Sequence, residues 1–320
     1  MLSKYAVVEP CTATRRTICN TNWISNLRSA AVFLALIVAV LPAQAQSAQA
    51  DEAQAEFLLG KKSLEQNDAR KAIDYLEKAV SLNPRSSEYY DWLGKAYGTQ
   101  AERASKFKQP FLAKKTKSAW EKAIALDPDN IGAREDIIQY YLVAPGFLGG
   151  SKEKARQQSI EIKRRNAYRG TLVAAQVCAA VKDERCVESE LKWVISTYPD
   201  STLGYTSLTA YYASEKRFEQ AFAVIDSRLK VKPSDPVALY SFGRTASMSG
   251  QNLERGEEAL REYIAAPPAN GPSVANAHYR LGLIAEMRGA KDVARREYET
   301  ALQLNPYYKE AKKALKAIGG

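Results

Sequence analysis

The chain has 320 residues, 46% hydrophobic and 26% charged, with a formal net charge of +10. That balance belongs to a folded, soluble chain and excludes intrinsic disorder for its body. His278 is the single histidine, which excludes imidazole-based general bases, metal sites and triads unless one residue anchors the whole site.

The first 45 residues carry Lys4, Arg15, Arg16 and Arg28 against Glu9, a charge of +3, which leaves about +7 from Gln46 on. A moderately basic body associates loosely with anionic surfaces, and no nucleic-acid partner is expected from it. Ala30 to Leu41 (AAVFLALIVAVL) is an apolar run of 12 residues, preceded by Arg28 and followed by Pro42 and Ala43-Gln44-Ala45. A basic flank, a short apolar core and small residues at two alternate positions form the secretory signal pattern, with Ala43 and Ala45 at the peptidase subsites. Residues 1–45 are therefore expected to be cleaved off after Ala45, or alternatively after Ala50, where Ala48-Gln49-Ala50 repeats the motif. A membrane span needs roughly 20 apolar residues, so membrane attachment is expected only through an uncleaved signal segment. The rest is expected to be exported, into the periplasm of a Gram-negative bacterium.

Glu56 to Pro84 reads EFLLGKKSLEQNDARKAIDYLEKAVSLNP, and His278 to Pro306 reads HYRLGLIAEMRGAKDVARREYETALQLNP. The two align without a gap, matching Leu59-Gly60 with Leu281-Gly282, Ala72 with Ala294 and Ala79 with Ala301. Gly60 to Gly94, Pro199 to Pro233 and Pro233 to Pro267 are each 34 residues apart. A further copy runs from Tyr89 to Pro128 with about ten extra residues inside it, and one centred on Ile137 to Tyr141 lacks a closing proline. Seven copies result, three by motif and four by register.

This pattern resembles the tetratricopeptide repeat, with its small residue in helix A, alanine in helix B and terminal proline. The resemblance implies an all-α fold, a right-handed α-solenoid of about seven helix-turn-helix units over 51–307. The glycines would let helix A approach the alanine of helix B. Trp92, Tyr97, Trp120 and Tyr298 would fill the space between repeats, and proline ends each unit. Residues 308–320 read as a capping helix with one apolar face and lysines outside. The family implies a concave groove lined by helix A, and carrying that face across by register selects Asp91 and Lys95, Glu135 and Gln139, Gln176, Tyr240 and Arg244, and Tyr279. A mixture of polar and aromatic residues suits an extended peptide or a partner helix.

Three segments depart from the repeat. The insertion 103–117 holds Arg103, Lys106, Lys108, Lys114, Lys115 and Lys117 with no acid, and reads as a solvated helix face or as a contact for an anionic envelope surface. The loop 144–150 (APGFLGG) reads as a packed turn with Phe147 and Leu148 tucked in, or as a partner contact; its glycines match no phosphate-binding spacing. Residues 265–273 read as a spacer or mild hinge. Cys178 and Cys186 flank a turn, where they either form a disulfide or stand as two small buried residues. No nucleophile–base pair, metal cluster or cofactor motif is present, so no catalysis, cofactor or metal is expected. The expected role is a protein-binding scaffold in envelope assembly or secretion, with docking on anionic lipid or polymer as the alternative.

Overall fold

The structure, a computed structural model, describes residues 47–319. The expected signal segment and its Ala43 and Ala45 subsites lie outside the described residues. Among these, the chain is helical throughout, and the helices come in antiparallel pairs. Helix α1 (47–65) pairs with α2 (Ala69–Leu82), α3 (Ser87–Arg103) with α4 (Gln109–Leu126), and α5 (Ile131–Val143) with α6 (Lys152–Arg165). Helix α7 (Ala167–Ala180) pairs with α8 (Glu184–Thr197), and α9 (Thr202–Ser214) with α10 (Phe218–Val231). The last pairs are α11 (Pro236–Ser249) with α12 (Leu253–Ala265) and α13 (Val274–Met287) with α14 (Lys291–Leu304), followed by α15 (Lys309–Ala317). These are the seven units and the terminal cap of the sequence reading. No helix among the described residues is long and apolar enough to cross a membrane.

Local chemistry starts and stops each helix. Ser86, Asn130, Asn166, Ser201, Asp235 and Ser273 cap the first helix of their units by accepting a backbone amide in the first turn. Such caps satisfy an amide that the helix leaves without a partner. Between helix A and helix B the chain reverses on a left-handed residue: Asn67, Lys182, Lys216, Gly250 and Gly289 have φ of 66°, 61°, 58°, 73° and 79°. They occupy one repeat position in units 1, 4, 5, 6 and 7. Units 2 and 3 have no such residue there, because the insertion and the APGFLGG loop replace that turn.

The core is a series of apolar clusters, each straddling neighbouring units, as expected when no hairpin can bury its own face. One joins Phe57, Leu76, Tyr89 and Leu93; the next joins Trp120, Ile137, Ile162 and Val177. The helix-A glycine works differently from the sequence reading. It makes room for a large helix-B side chain, not for an alanine: a Cβ on Gly60, Gly94, Gly243 or Gly282 would lie 2.6, 2.5, 2.2 or 2.3 Å from Leu76, Trp120, Leu260 or Tyr298. Tyr298 is fully buried and its hydroxyl donates to Glu286 at 2.8 Å.

One buried ion pair locks units 5 and 6. Arg228 on α10 donates to Asp235 Oδ2 at 2.9 and 2.8 Å and to the Pro199 carbonyl at 2.8 Å. Asp235 also caps α11 through the Val237 and Ala238 amides, both at 3.1 Å. Burial works to raise the Asp235 carboxyl, but the Ala238 amide and Arg228 outweigh it and hold it below its ordinary value. The linker 265–273 is pinned to its own unit: the fully buried Tyr263 donates its hydroxyl to the Pro272 carbonyl. In the cap, Ala311 is buried while Leu315 and Ile318 pack on the cluster of Ala294 and Tyr298.

Candidate partner-binding cleft

The two departures in units 2 and 3 lie side by side and wall a single cleft of about 680 Å3. One wall comes from the extended end of α3 and the start of α4, with Ala101, Gln109, Pro110 and Ala113; Trp120 forms the floor. The facing wall is Tyr140, Val143, Pro145, Phe147 and Leu148. The loop holds its shape through its own bonds. Tyr140 donates its hydroxyl to the Leu148 carbonyl at 2.8 Å, and the Ser151 amide donates to the Tyr141 carbonyl at 2.9 Å. Gly149 is left-handed at φ 92°, and a Cβ on Gly150 would lie 1.7 Å from the Ala144 carbonyl oxygen, so both positions require glycine. Leu148 is half-buried, but Phe147 is 80% exposed and Val143 82%. The expectation of a tucked-in Phe147 is therefore corrected: the 3-10 turn Gly146–Leu148 is too short to fold both side chains under itself.

At one end the cleft opens into a polar hollow of about 280 Å3 lined by Glu135, Asp136, Gln139, Val173 and Gln176, with Asp136 and Gln139 common to both. Lys95 lies 2.5 Å from Asp91 and 3.1 Å from Asp136, so two carboxylates share one ammonium. Asp91 Oδ1 is buried and accepts no hydrogen bond among the described residues, whereas Asp136 Oδ2, also buried, is the oxygen that faces Lys95 Nζ. Burial raises the Asp136 carboxyl above its ordinary value, against the pull of Lys95. Glu135 is engaged by a two-pronged pair with Arg169 of the next unit, both contacts at 2.5 Å.

The groove residues chosen by register divide into two rows. Lys95, Gln139, Gln176 and Arg244 are half-exposed or exposed and line the helix-A face. The position four residues earlier turns toward the neighbouring unit. Asp91 is 6% and Tyr240 8% exposed, so neither presents its side chain to a groove. The Tyr240 ring packs 5.2 Å from Tyr263, and Tyr279, half-buried, packs 5.9 Å from Tyr298 and 5.1 Å from Tyr308 of the cap. The sequence reading missed Asp136, Tyr140 and Val143. With Gln139 they stand at i, i+3, i+4 and i+7 of α5, a single helical face that was legible, but the extra residues of unit 2 obscured which face meets the insertion.

The basic insertion also divides. Arg103 donates to the Asn67 carbonyl at 2.7 Å, Lys115 to Glu77 and Tyr97 at 3.1 Å each, and Lys117 pairs with Glu121 at 2.9 Å. Arg103 and Lys115 are thus tied to unit 1, and Lys117 to its own helix four residues on. Lys106, Lys108 and Lys114 are exposed and make no ion pair among the described residues, and they surround Phe107, 96% exposed, and Phe111, 63% exposed. Elsewhere, Cys178 and Cys186 are joined across the α7–α8 turn, with Cα atoms 5.8 Å apart. His278 Nδ1 lies 2.7 Å from Glu297 Oε2 and so ties α13 to α14.

The tetratricopeptide repeat family model matches residues 275–308, which is unit 7. Protein O-mannosyl-transferase TMTC1 of Homo sapiens is 28% identical over 188 residues, 58% of this chain and 19% of that protein. The chain thus spans about a fifth of the length of this curated relative. A tetratricopeptide repeat protein of Parabacteroides merdae superposes with a TM-score of 0.54 at 13% identity, covering 84% of this chain and 100% of the other. Yeast Tom70 superposes with a TM-score of 0.60 at 14% identity, covering 83% of this chain and 56% of the other. At such identities the superpositions concern the fold alone. With its seven stacked helix pairs, its glycines set against large helix-B side chains and its matched final unit, the chain has the tetratricopeptide repeat fold.

Proposed function

We propose that this chain is an exported, non-catalytic scaffold that binds a protein partner during envelope assembly or secretion in a Gram-negative periplasm. The observation that carries the reading is the cleft between units 2 and 3. Large apolar side chains such as Phe147 and Val143 stand in water there on a rigid frame, and such surfaces mark interaction sites. The signal-like segment supports export, and the Cys178–Cys186 bridge suits an oxidising compartment. The transferase name belongs to a relative of which this chain spans about a fifth. A periplasmic extract passed over immobilised protein at low and moderate salt tests the reading. The wild-type chain is expected to retain a protein at both, and a Val143→Asp, Phe147→Ser variant to lose it. Recovery of no protein at either salt refutes it.

A second reading rests on the Lys106, Lys108 and Lys114 corner around exposed Phe107: docking on an anionic envelope surface. Each lysine near such a surface contributes about 1 kcal/mol, so binding to vesicles with anionic lipid should collapse with salt and with charge reversal of the three lysines. Vesicle binding unchanged by either treatment refutes that reading.

A further inference from the structure

Resting on the scaffold reading, we propose that the cleft between units 2 and 3 takes a short partner segment with apolar side chains beside a lysine or arginine, the apolar part lying between Pro110 and Phe147 and the cation reaching Asp136. The volume of about 680 Å3 falls in the range of sites that enclose a compact ligand. It accommodates a few large side chains of one segment, not a folded surface. The lining is aliphatic and aromatic along most of its length, which selects apolar side chains there.

The charges on the lining decide the rest. Glu102 and Lys106 both border the cleft, are exposed and opposite in sign, so they offset one another in water. Asp136 stands where the cleft meets the polar hollow. It shares Lys95 with Asp91, which leaves the three groups with a net negative charge. Arg169 does not make up the deficit, because its guanidinium is held in the two-pronged pair with Glu135. An incoming ammonium or guanidinium beside the part-exposed Asp136 supplies the missing charge. A third carboxylate would meet repulsion in a half-buried place, where charge interactions are poorly screened. A lysine or arginine also carries an apolar stem that lies along the aromatic wall while its head reaches the acid. The same argument disfavours a fatty acid, whose carboxylate would face Asp136.

The experiment pans phage-displayed random 12-residue peptides against the purified full-length protein, then measures synthetic peptides by fluorescence polarisation. Enriched sequences are expected to pair apolar residues with lysine or arginine. Val143→Asp, on an exposed side chain, should weaken the best peptide at least about tenfold while the helical circular dichroism stays unchanged. Asp136→Asn should weaken it about five- to tenfold, yet leave the affinity of the same peptide carrying glutamine for its basic residue unchanged. Acidic or charge-free consensus sequences, equal losses for both peptides, or displacement of the peptide by laurate binding in the cleft each overturn the inference. Peptides sensitive to Arg244→Ala but not to Val143→Asp overturn it while leaving the scaffold reading intact. A library that yields no binder also overturns it, and the scaffold reading then falls only if capture from the periplasmic extract fails as well.

Discussion

Two glycines one turn apart in α3 should respond to the same substitution with opposite signs. A Cβ on Gly94 would lie 2.5 Å from Trp120 Nε1 and 2.7 Å from its Cδ1; on Gly98 the nearest atoms are Thr116 Cγ2 at 3.7 Å and Trp120 Cη2 at 3.8 Å. Trp120 is 8% exposed and donates to the Asp91 carbonyl at 3.2 Å, so its ring retreats only by giving up that bond. Overpacking of this kind costs about 1–3 kcal/mol, and a weakened hydrogen bond up to about 1 more. Replacing a mid-helix glycine by alanine returns about 1 kcal/mol. Gly94→Ala should therefore destabilise by up to about 3 kcal/mol, with about 1.5 at the middle of the range, and Gly98→Ala stabilise by about 0.5–1. In urea, with a slope of about 3 kcal/mol per M, Gly94→Ala lowers the far-ultraviolet circular-dichroism midpoint by about 0.5 M and Gly98→Ala raises it by about 0.2–0.3 M. Repeat arrays unfold with graded cooperativity, so the sign of the shift is the deciding reading. Shifts of the same sign in both variants would refute the claim that the glycine exists to admit the indole.

Other regions make separate predictions. Arg228→Met strands Asp235 in the interior and should cost about 3–5 kcal/mol; adding Asp235→Asn should recover part of that loss in the same urea titration. Reducing the Cys178–Cys186 bridge, whose cysteines are eight residues apart in sequence, should cost about 2.5 kcal/mol on the loop-entropy relation; an unchanged midpoint in reductant, with both thiols shown free, argues against it. Lys192, then Arg217 and Tyr212, hold Glu188 at about 2, below its ordinary 4.5. A depressed folded value favours the charged native state, so this stabilisation is complete above pH 4.5 and disappears as pH falls toward 2. Between pH 5 and 2.5 the wild-type midpoint should fall further than that of Glu188→Gln.

Much of the architecture was legible as a sequence. The gap-free match of 56–84 with 278–306, the 34-residue spacings and the closing prolines pointed to six hairpins and the cap, and register to the third hairpin, which has no closing proline, because helical propensity, capping and termination act within a few residues. The candidate site was legible only in pieces. Register selected Lys95, Gln139, Gln176 and Arg244, which are half-exposed or exposed, but also Asp91 and Tyr240, which are buried. Sequence spacing shows which residues share a repeat position; it does not show how deeply the next unit covers that position. Six cations stood out in the insertion, yet three are consumed by Asn67, Glu77, Tyr97 and Glu121, partners that lie up to 38 residues away.

By itself, then, the sequence determined a chain of α-hairpins, its period, its ends and the segments that break its pattern, two of them in units 2 and 3. Only the tertiary structure decided that the segments of units 2 and 3 meet. Each replaces the left-handed A–B turn of its own unit, and stacking brings units 2 and 3 together, so the altered turns face one another across Trp120 and enclose a cleft. The physical reason is one of range. Helix and turn formation depend on neighbours three or four positions away, whereas the cleft, the shared Lys95 and the indole against Gly94 depend on which side chains the stacked helices bring together across tens of residues.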